Sequence, residues 1–144
     1  VGSEMCIRDS GEAVVITNPE LKKDFRYSIK QRGGMLAKGR LLGIQFLTLF
    51  EENRYFEISA HAARLAEKLK DELTKMNISF YINSPTNQQF PILPDDVLDK
   101  LREKYSCAYQ ARVDETHSAV RFCTCWATKE ENVEALLADI RAII

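Results

Sequence analysis

Apolar residues along the chain recur first as one short unbroken run, then at helical spacing, and last in alternation. The run EAVVIT (12–17) reads as a strand covered on both faces. Asn18 and Pro19 then open a helix: the asparagine can cap it, and a proline at the first helical position forfeits no hydrogen bond. Leu21, Phe25 and Ile29 fall four apart and form its stripe, and Gly33-Gly34 breaks it. A second helix, beginning near Met35, carries Leu36, Leu41, Leu42, Ile44, Phe46, Leu47 and Leu49. It is apolar around much of its circumference apart from Lys38, Arg40 and Gln45, the pattern of a helix buried in a large core or a subunit interface. Past Glu51-Glu52-Asn53, a third and amphipathic helix covers about 54–76, with Ile58, Ala62, Leu65, Ala66, Leu69, Leu73 and Met76 on one face.

From Asn77 the period changes. ISFYI (78–82) reads as a strand, SPTN (84–87) as a turn, and QQFPIL (88–93) as a second strand whose Pro91 predicts an edge or a bulge. Pro94-Asp95 opens a helix with Val97, Leu98 and Leu101, and CAYQAR (107–112) and AVRFCTCWA (119–127) are two more strands around the polar loop VDETHS. Thr128 and Glu131 form a T-x-x-E capping box for a last helix lined by Val133, Leu136, Leu137, Ile140 and Ile144. The order is one strand, three helices, then a small, mainly antiparallel sheet with two helices, so residues 77–144 are expected to form a compact α+β unit. A lone covered strand at the start needs neighbours that this chain hardly offers, so the N-terminal part reads as the end of something larger. The first ten residues, VGSEMCIRDS, have no useful periodicity and are expected to be a leader foreign to the rest of the chain.

Composition narrows the class. The chain has 144 residues, 45% hydrophobic and 28% charged, an ordinary globular balance sufficient for one core. A net charge of −1 gives no general electrostatic case for nucleic acid or an anionic membrane. No apolar run approaches the roughly 20 residues that span a bilayer. Cys6, Cys107, Cys123 and Cys125 are too sparse for a disulfide framework, so a reduced cytoplasmic setting is the simpler expectation.

Two clusters could carry chemistry. QRGGMLAKGR (31–40) sets Arg32, Lys38 and Arg40 around a glycine pair, a composition that can cradle a phosphate at a helix start. The spacing is not a P-loop, and by itself it favours an ordinary helix–helix turn with solvated cations. Arg121 alternates with Cys123 and Cys125 on one strand face, opposite Val120, Phe122 and Thr124. On so apolar a strand its charge calls for a partner. A ligand carboxylate and an internal ion pair with Asp114, Glu115 or another acid are equally compatible with the spacing. Cys123-x-Cys125 lacks the usual chelating loop for a metal, and no local signature joins His61 or His117 to a nucleophile, so no metal site is assigned.

Three segments in order, DFRYSIKQRGGMLAKGRLLGIQF, SPTNQQFPIL and VRFCTCWATKEENVEALL, resemble the low-specificity threonine aldolases. These belong to the β-eliminating lyases among the pyridoxal-phosphate enzymes, with an α/β fold of the aspartate-aminotransferase type. The resemblance runs from about Gly11 to Ile144 and implies the C-terminal part of such an enzyme. Residues 11–34 would end the large cofactor domain, 35–76 would be connecting and interface helices, and 77–144 the small α+β domain. The Schiff-base lysine of the family precedes a segment similar to GEAVVITNP, where this chain has VGSEMCIRDS and no lysine; no catalytic residue is therefore assigned, and the fragment alone is expected to be inactive. Arg121 matches the arginine that grips the substrate α-carboxylate. Lys30, Arg32, Lys38 and Arg40 match a segment near the active site at the subunit interface, where they would help hold cofactor phosphate. The implied reaction cleaves L-threonine or L-allo-threonine to glycine and acetaldehyde in a homodimer or homotetramer. A related β-eliminating lyase, and a stand-alone α+β interaction module docking through helix 41–50, are the competing readings.

Overall fold

The computed structural model describes residues 14–144. The leader expected over residues 1–10, and the start of the EAVVIT run, lie outside them. The chain divides into two units after Tyr55.

In the N-terminal unit the expected strand is absent over its described part: Val14–Thr17 is irregular, with Val14 and Val15 exposed. A strand covered on both faces needs flanking strands, and no described segment pairs with it. Asn18 Oδ1 does accept the Glu20 N–H at 3.0 Å, but what it caps is the single 3-10 turn Pro19–Lys22. Asp24, at φ 55°, interrupts the chain before helix α1, Phe25–Gln31. The expected single helix is thus a turn and a helix, and Leu21 leaves the apolar stripe for solvent. Helix α2, Arg40–Phe50, begins five residues later than its composition suggested. None of its residues is buried, and Leu41, Ile44, Leu47 and Phe50 are exposed. A 3-10 turn, Glu51–Asn53, with Glu52 and Asn53 at positive φ, lets the Phe50 ring stack on Tyr55 with centroids 5.1 Å apart.

Helix α3, Arg54–Lys75, carries its apolar stripe as expected: Ala62, Leu65, Ala66, Leu69 and Leu73 are buried. That stripe is one wall of the C-terminal unit's core, so α3 packs with the elements after it rather than serving only as a connector. The strands are β1, Gln88–Gln89; β2, Ile92–Pro94; β3, Ala108–Arg112; and β4, His117–Cys123. β4 is central: β1 and β2 line one of its edges in succession, β3 the other, and all pairings are antiparallel. Helices α4, Asp95–Arg102, and α5, Glu130–Ile143, complete the unit. Val97, Leu98, Leu101, Val133, Leu137 and Ile140 close over Leu93, Val120 and Phe122. The outward ends of the helices are tied by charge. Lys68 Nζ donates to Glu130 at 2.8 Å and Glu134 at 2.6 Å, and Arg141 pairs with Glu72.

Three local expectations change. Pro91 marks neither an edge nor a bulge. It is buried, β1 and β2 keep one register with β4 on either side of it, and Phe80 bridges it from the other flank. Its carbonyl accepts the Val120 N–H at 3.1 Å, so the proline costs only the one ladder bond its missing N–H would have made. ISFYI is reduced to that bridge, with Tyr81 N–H donating to the Phe90 carbonyl. The capping box does not form: Lys129 is the N-cap residue of α5, and Thr128 Oγ1 instead accepts the Cys125 N–H at 2.8 Å.

Burial separates the two units energetically. Leu98→Ala, at a site with no exposure, should cost about 2–5 kcal/mol. Leu47→Ala, on exposed α2, should stay within about 0.5 kcal/mol. Urea denaturation of the two variants checks this, and comparable losses would contradict the assignment of the core.

Candidate functional site around Arg121

Strand β4 has two faces with different surroundings. Val120, Phe122 and Thr124 are buried on one, while Arg121 and Cys123 alternate on the other. Arg121 pairs across the ladder with Ala108 of β3. It lines a cavity of about 600 Å³ that also takes in Lys104, Tyr105, Phe122, Asn132 and Leu136. The lining is mainly apolar with a few polar groups, the usual make-up of a small-molecule site.

The guanidinium has an unmet demand. Its Nε is shielded from solvent and has no hydrogen-bond partner. Among the described residues Arg121 forms no ion pair, with Glu115 or any other acid, and two nearby acids in sequence or sheet, Asp114 and Asp95, are engaged elsewhere. Asp114 accepts the N–H groups of Thr116 and His117, each at 2.8 Å, and lies 3.0 Å from His117 Nδ1. Asp95 accepts Arg112 at 2.6 Å and the Ser118 hydroxyl at 2.8 Å. The Ser118 hydroxyl, and then Arg112, hold the Asp95 carboxyl below its ordinary range. The other cation lining the cavity, Lys104, gives its ammonium to Asp139 Oδ2 at 2.5 Å. Tyr105 OH donates to the same oxygen at 2.5 Å, and Asp139 is pushed down by Lys104 first and Tyr105 second. Arg121 is the cavity cation with donors to spare. A shielded guanidinium N–H without an acceptor costs on the order of 1–3 kcal/mol or more.

The other four predicted site residues belong to the N-terminal unit. Lys30, Arg32, Lys38 and Arg40 are all exposed and form no ion pair among the described residues. The glycine pair does not cradle an anion. Gly33, at φ 73°, donates its N–H to the Lys30 carbonyl at 3.1 Å, and Gly34 donates to Ile29 at 2.9 Å. Both amides are consumed in closing α1, the usual role of a glycine just past a helix end. What this loop offers an anion is side-chain charge alone.

The cysteines and histidines have structural surroundings. Cys123 is exposed, Cys125 half-buried, and burial pushes the half-buried Cys107 thiol up. His61 Nδ1 faces Arg64 Nη2 at 3.1 Å; a guanidinium only donates, so the imidazole proton sits on Nε2 and goes to the Thr128 carbonyl at 2.8 Å. Among the described residues no three His, Cys, Asp or Glu side chains gather at a metal-sized site. Lys104, Tyr105 and Asn132 were not singled out in the sequence. Their shared cavity depends on β3 pairing with β4, which no local pattern encodes.

No protein-family model matches the chain. The low specificity L-threonine aldolase of a Pseudomonas species is 30% identical over 137 residues, 93% of this chain and 38% of that protein. The protein of the same name from Pseudomonas aeruginosa is 27% identical over 135 residues, again 93% and 38%. The solved threonine aldolase of Leishmania major superposes with a TM-score of 0.83 at 35% identity, over 90% of this chain and 38% of that one. The chain is a part-length homologue of the threonine aldolases. It spans a little over a third of each of these relatives, and over that span its helices and small antiparallel sheet have the fold of the threonine aldolase structure.

The turn between β3 and β4 makes stability depend on pH. The Thr116 N–H, and then the His117 imidazole, lower the Asp114 carboxyl from 3.8 to about 2. A depressed carboxyl stabilises the fold above its unfolded value and loses that contribution as pH falls through its folded value. Between about pH 4 and pH 2 the parent chain should therefore lose more stability than Asp114→Asn. Melting curves across that window test it, and parallel slopes for the two proteins would refute it.

Proposed function

We propose that this chain is the C-terminal part of a pyridoxal-phosphate-dependent threonine aldolase, a carbon–carbon lyase, to which it contributes the substrate-carboxylate arginine, Arg121. The observation that carries the reading is the shielded, acceptor-less Nε of Arg121 at a cavity, in a chain whose relatives are named threonine aldolases. The substrate would be a small β-hydroxy amino acid, L-threonine or L-allo-threonine, giving glycine and acetaldehyde. A related β-eliminating lyase would use Arg121 in the same way, so the product, aldehyde or released β-substituent, distinguishes the two.

The residues present fit one end of the cofactor. Lys30, Arg32, Lys38 and Arg40 are exposed, unpaired cations among the described residues, and by charge they suit its phosphate. With the glycine amides used in closing α1, any grip comes from side chains, and so would be looser than a backbone cradle. When bound, pyridoxal phosphate supplies an electron sink for the pair left at Cα as the Cα–Cβ bond breaks. Arg121's part is orientation. A planar fork making two parallel N–H···O bonds fixes both the position and the plane of a carboxylate, and so the direction of the bond to be broken.

The domain reading is built on the same family likeness. Residues 11–34 would end the large domain, 35–76 would connect and pack, and 77–144 would form the small domain, sharing α3 as a core wall. The exposed apolar residues of α2 support a packing surface between domains or subunits of a homodimer or homotetramer. The same face would serve a stand-alone interaction module. Sedimentation of the purified chain separates the readings: a cooperatively folding monomer favours the module, and self-association favours the enzyme part.

In the full-length protein carrying this segment, Arg121→Ala should raise KM for L-threonine about 10- to 100-fold, the loss expected for a charge-assisted hydrogen bond of about 1.5–3 kcal/mol. Arg121→Lys should recover only part of it. Steady-state kinetics with both variants checks this; an unchanged KM and turnover in the alanine variant would end the carboxylate role.

A further inference from the structure

Resting on the reading of Arg121 as a carboxylate site, we propose that Asn87 and Thr124 are positioning residues that hold Arg121 in register. The case begins with how Arg121 is held on the two edges of β4: on one it pairs with Ala108 of β3, and on the other it lies between the residues that β1 and β2 pair. β1 contributes two residues, Gln88 and Gln89, opposite Cys123 and Phe122. β2 takes over only at Ala119. Between them stands the Pro91–Val120 pair, which has lost one of its two ladder bonds because proline has no N–H. On that edge the pair next to Arg121 is thus held by a single ladder bond. A one-residue slip would exchange the two faces of the strand and put the charge where Val120 and Phe122 enter the core.

That edge is reinforced from beyond the strand's end. Asn87 holds both main-chain polar groups of Thr124: its carbonyl accepts the Thr124 N–H at 3.0 Å, and its Nδ2 donates to the Thr124 carbonyl at 2.7 Å. The Thr124 hydroxyl donates to the Ala62 carbonyl of α3 at 2.7 Å; the Asn87 carbonyl, at 3.3 Å, is the poorer alternative for its single proton. One residue along α3, His61 Nε2 reaches the Thr128 carbonyl. Asn87 and Thr124 are 8% and 4% exposed, so neither amide nor hydroxyl can fall back on water if the partner is removed. The stretch following Arg121 is thereby fastened to α3, whose next turn is core. The SPTNQQF segment acquires a role as well, since the Ser84 and Thr86 hydroxyls bond each other at 2.9 Å and shape the turn that presents Asn87.

The test uses the 144-residue chain, labelled with nitrogen-15, and reads the Arg121 Nε–H directly. Thr124→Val keeps the side chain's volume and removes the hydroxyl, and Asn87→Ala removes the amide. Both should speed hydrogen exchange at the Arg121 Nε–H at least tenfold, while the Leu98 amide in α4 exchanges as before. Thr124→Ser, which keeps the hydroxyl, should behave as the parent, and so keeps the test decisive if another variant unfolds. Acetate and glycine are then titrated, and the first two variants should bind at least tenfold more weakly than the parent. Unchanged Nε–H exchange in Thr124→Val and Asn87→Ala overturns the positioning role. Equal acetate binding by the parent and Arg121→Ala would instead overturn the carboxylate reading on which it rests.

Discussion

The alternation of strand β4 is the constraint on which the C-terminal unit depends. Every second residue, Val120, Phe122 and then Thr124, must enter the core, and the residue between the first two is a permanently charged arginine. The core can close only if that charge is carried to the opposite face, and the register that buries two apolar side chains is the register that aims Arg121 at a cavity. Folding and site construction are here one event. The helices supply the complement: α3, α4 and α5 cover Val120 and Phe122, and α3 and α5 also give Leu69, Asn132 and Leu136 to the cavity that Arg121 lines.

The N-terminal unit obeys a different balance. Its most apolar helix, α2, has no buried residue, although its sequence has the composition of an interior element. Local hydrogen bonding is sufficient to shape such a helix, but tertiary packing supplies most of a helix's stability. Val14 and Val15 are in the same condition, apolar and exposed. This is the pattern of surface suited to being covered by protein, and it agrees with a chain that matches a little over a third of its relatives.

What could be seen in the sequence depended on the range of the interaction. The buried face of α3 and the apolar positions of α4 and α5 were legible because a helix repeats its environment every few residues. Pro91 was misread because a missing N–H announces a lost bond without saying that neighbours on both sides keep the strand interior. Thr128 has the spacing of a cap, yet a nearer amide, that of Cys125, competes for its oxygen. For Arg121 the pattern stated the demand for an anion but could not choose between ligand and internal acid. The Thr116 and His117 amides engage Asp114, and Arg112 and Ser118 engage Asp95, through contacts that the alternation of one strand does not encode. The Asn87–Thr124 link joins residues 37 apart and leaves no periodic trace.

The way α1 ends has a consequence for how the two groups of cations respond to their surroundings. Because Gly33 and Gly34 spend their amides on the helix, Lys30, Arg32, Lys38 and Arg40 act on an anion through exposed charge alone. Attraction of that kind is screened over about 8 Å at physiological ionic strength, whereas a solvent-shielded guanidinium N–H is screened far less. On the proposed reading the chain would therefore contain two kinds of anion recognition with different sensitivities to salt. The basic loop's hold would weaken as ions are added, and a grip at Arg121 would persist under the same conditions.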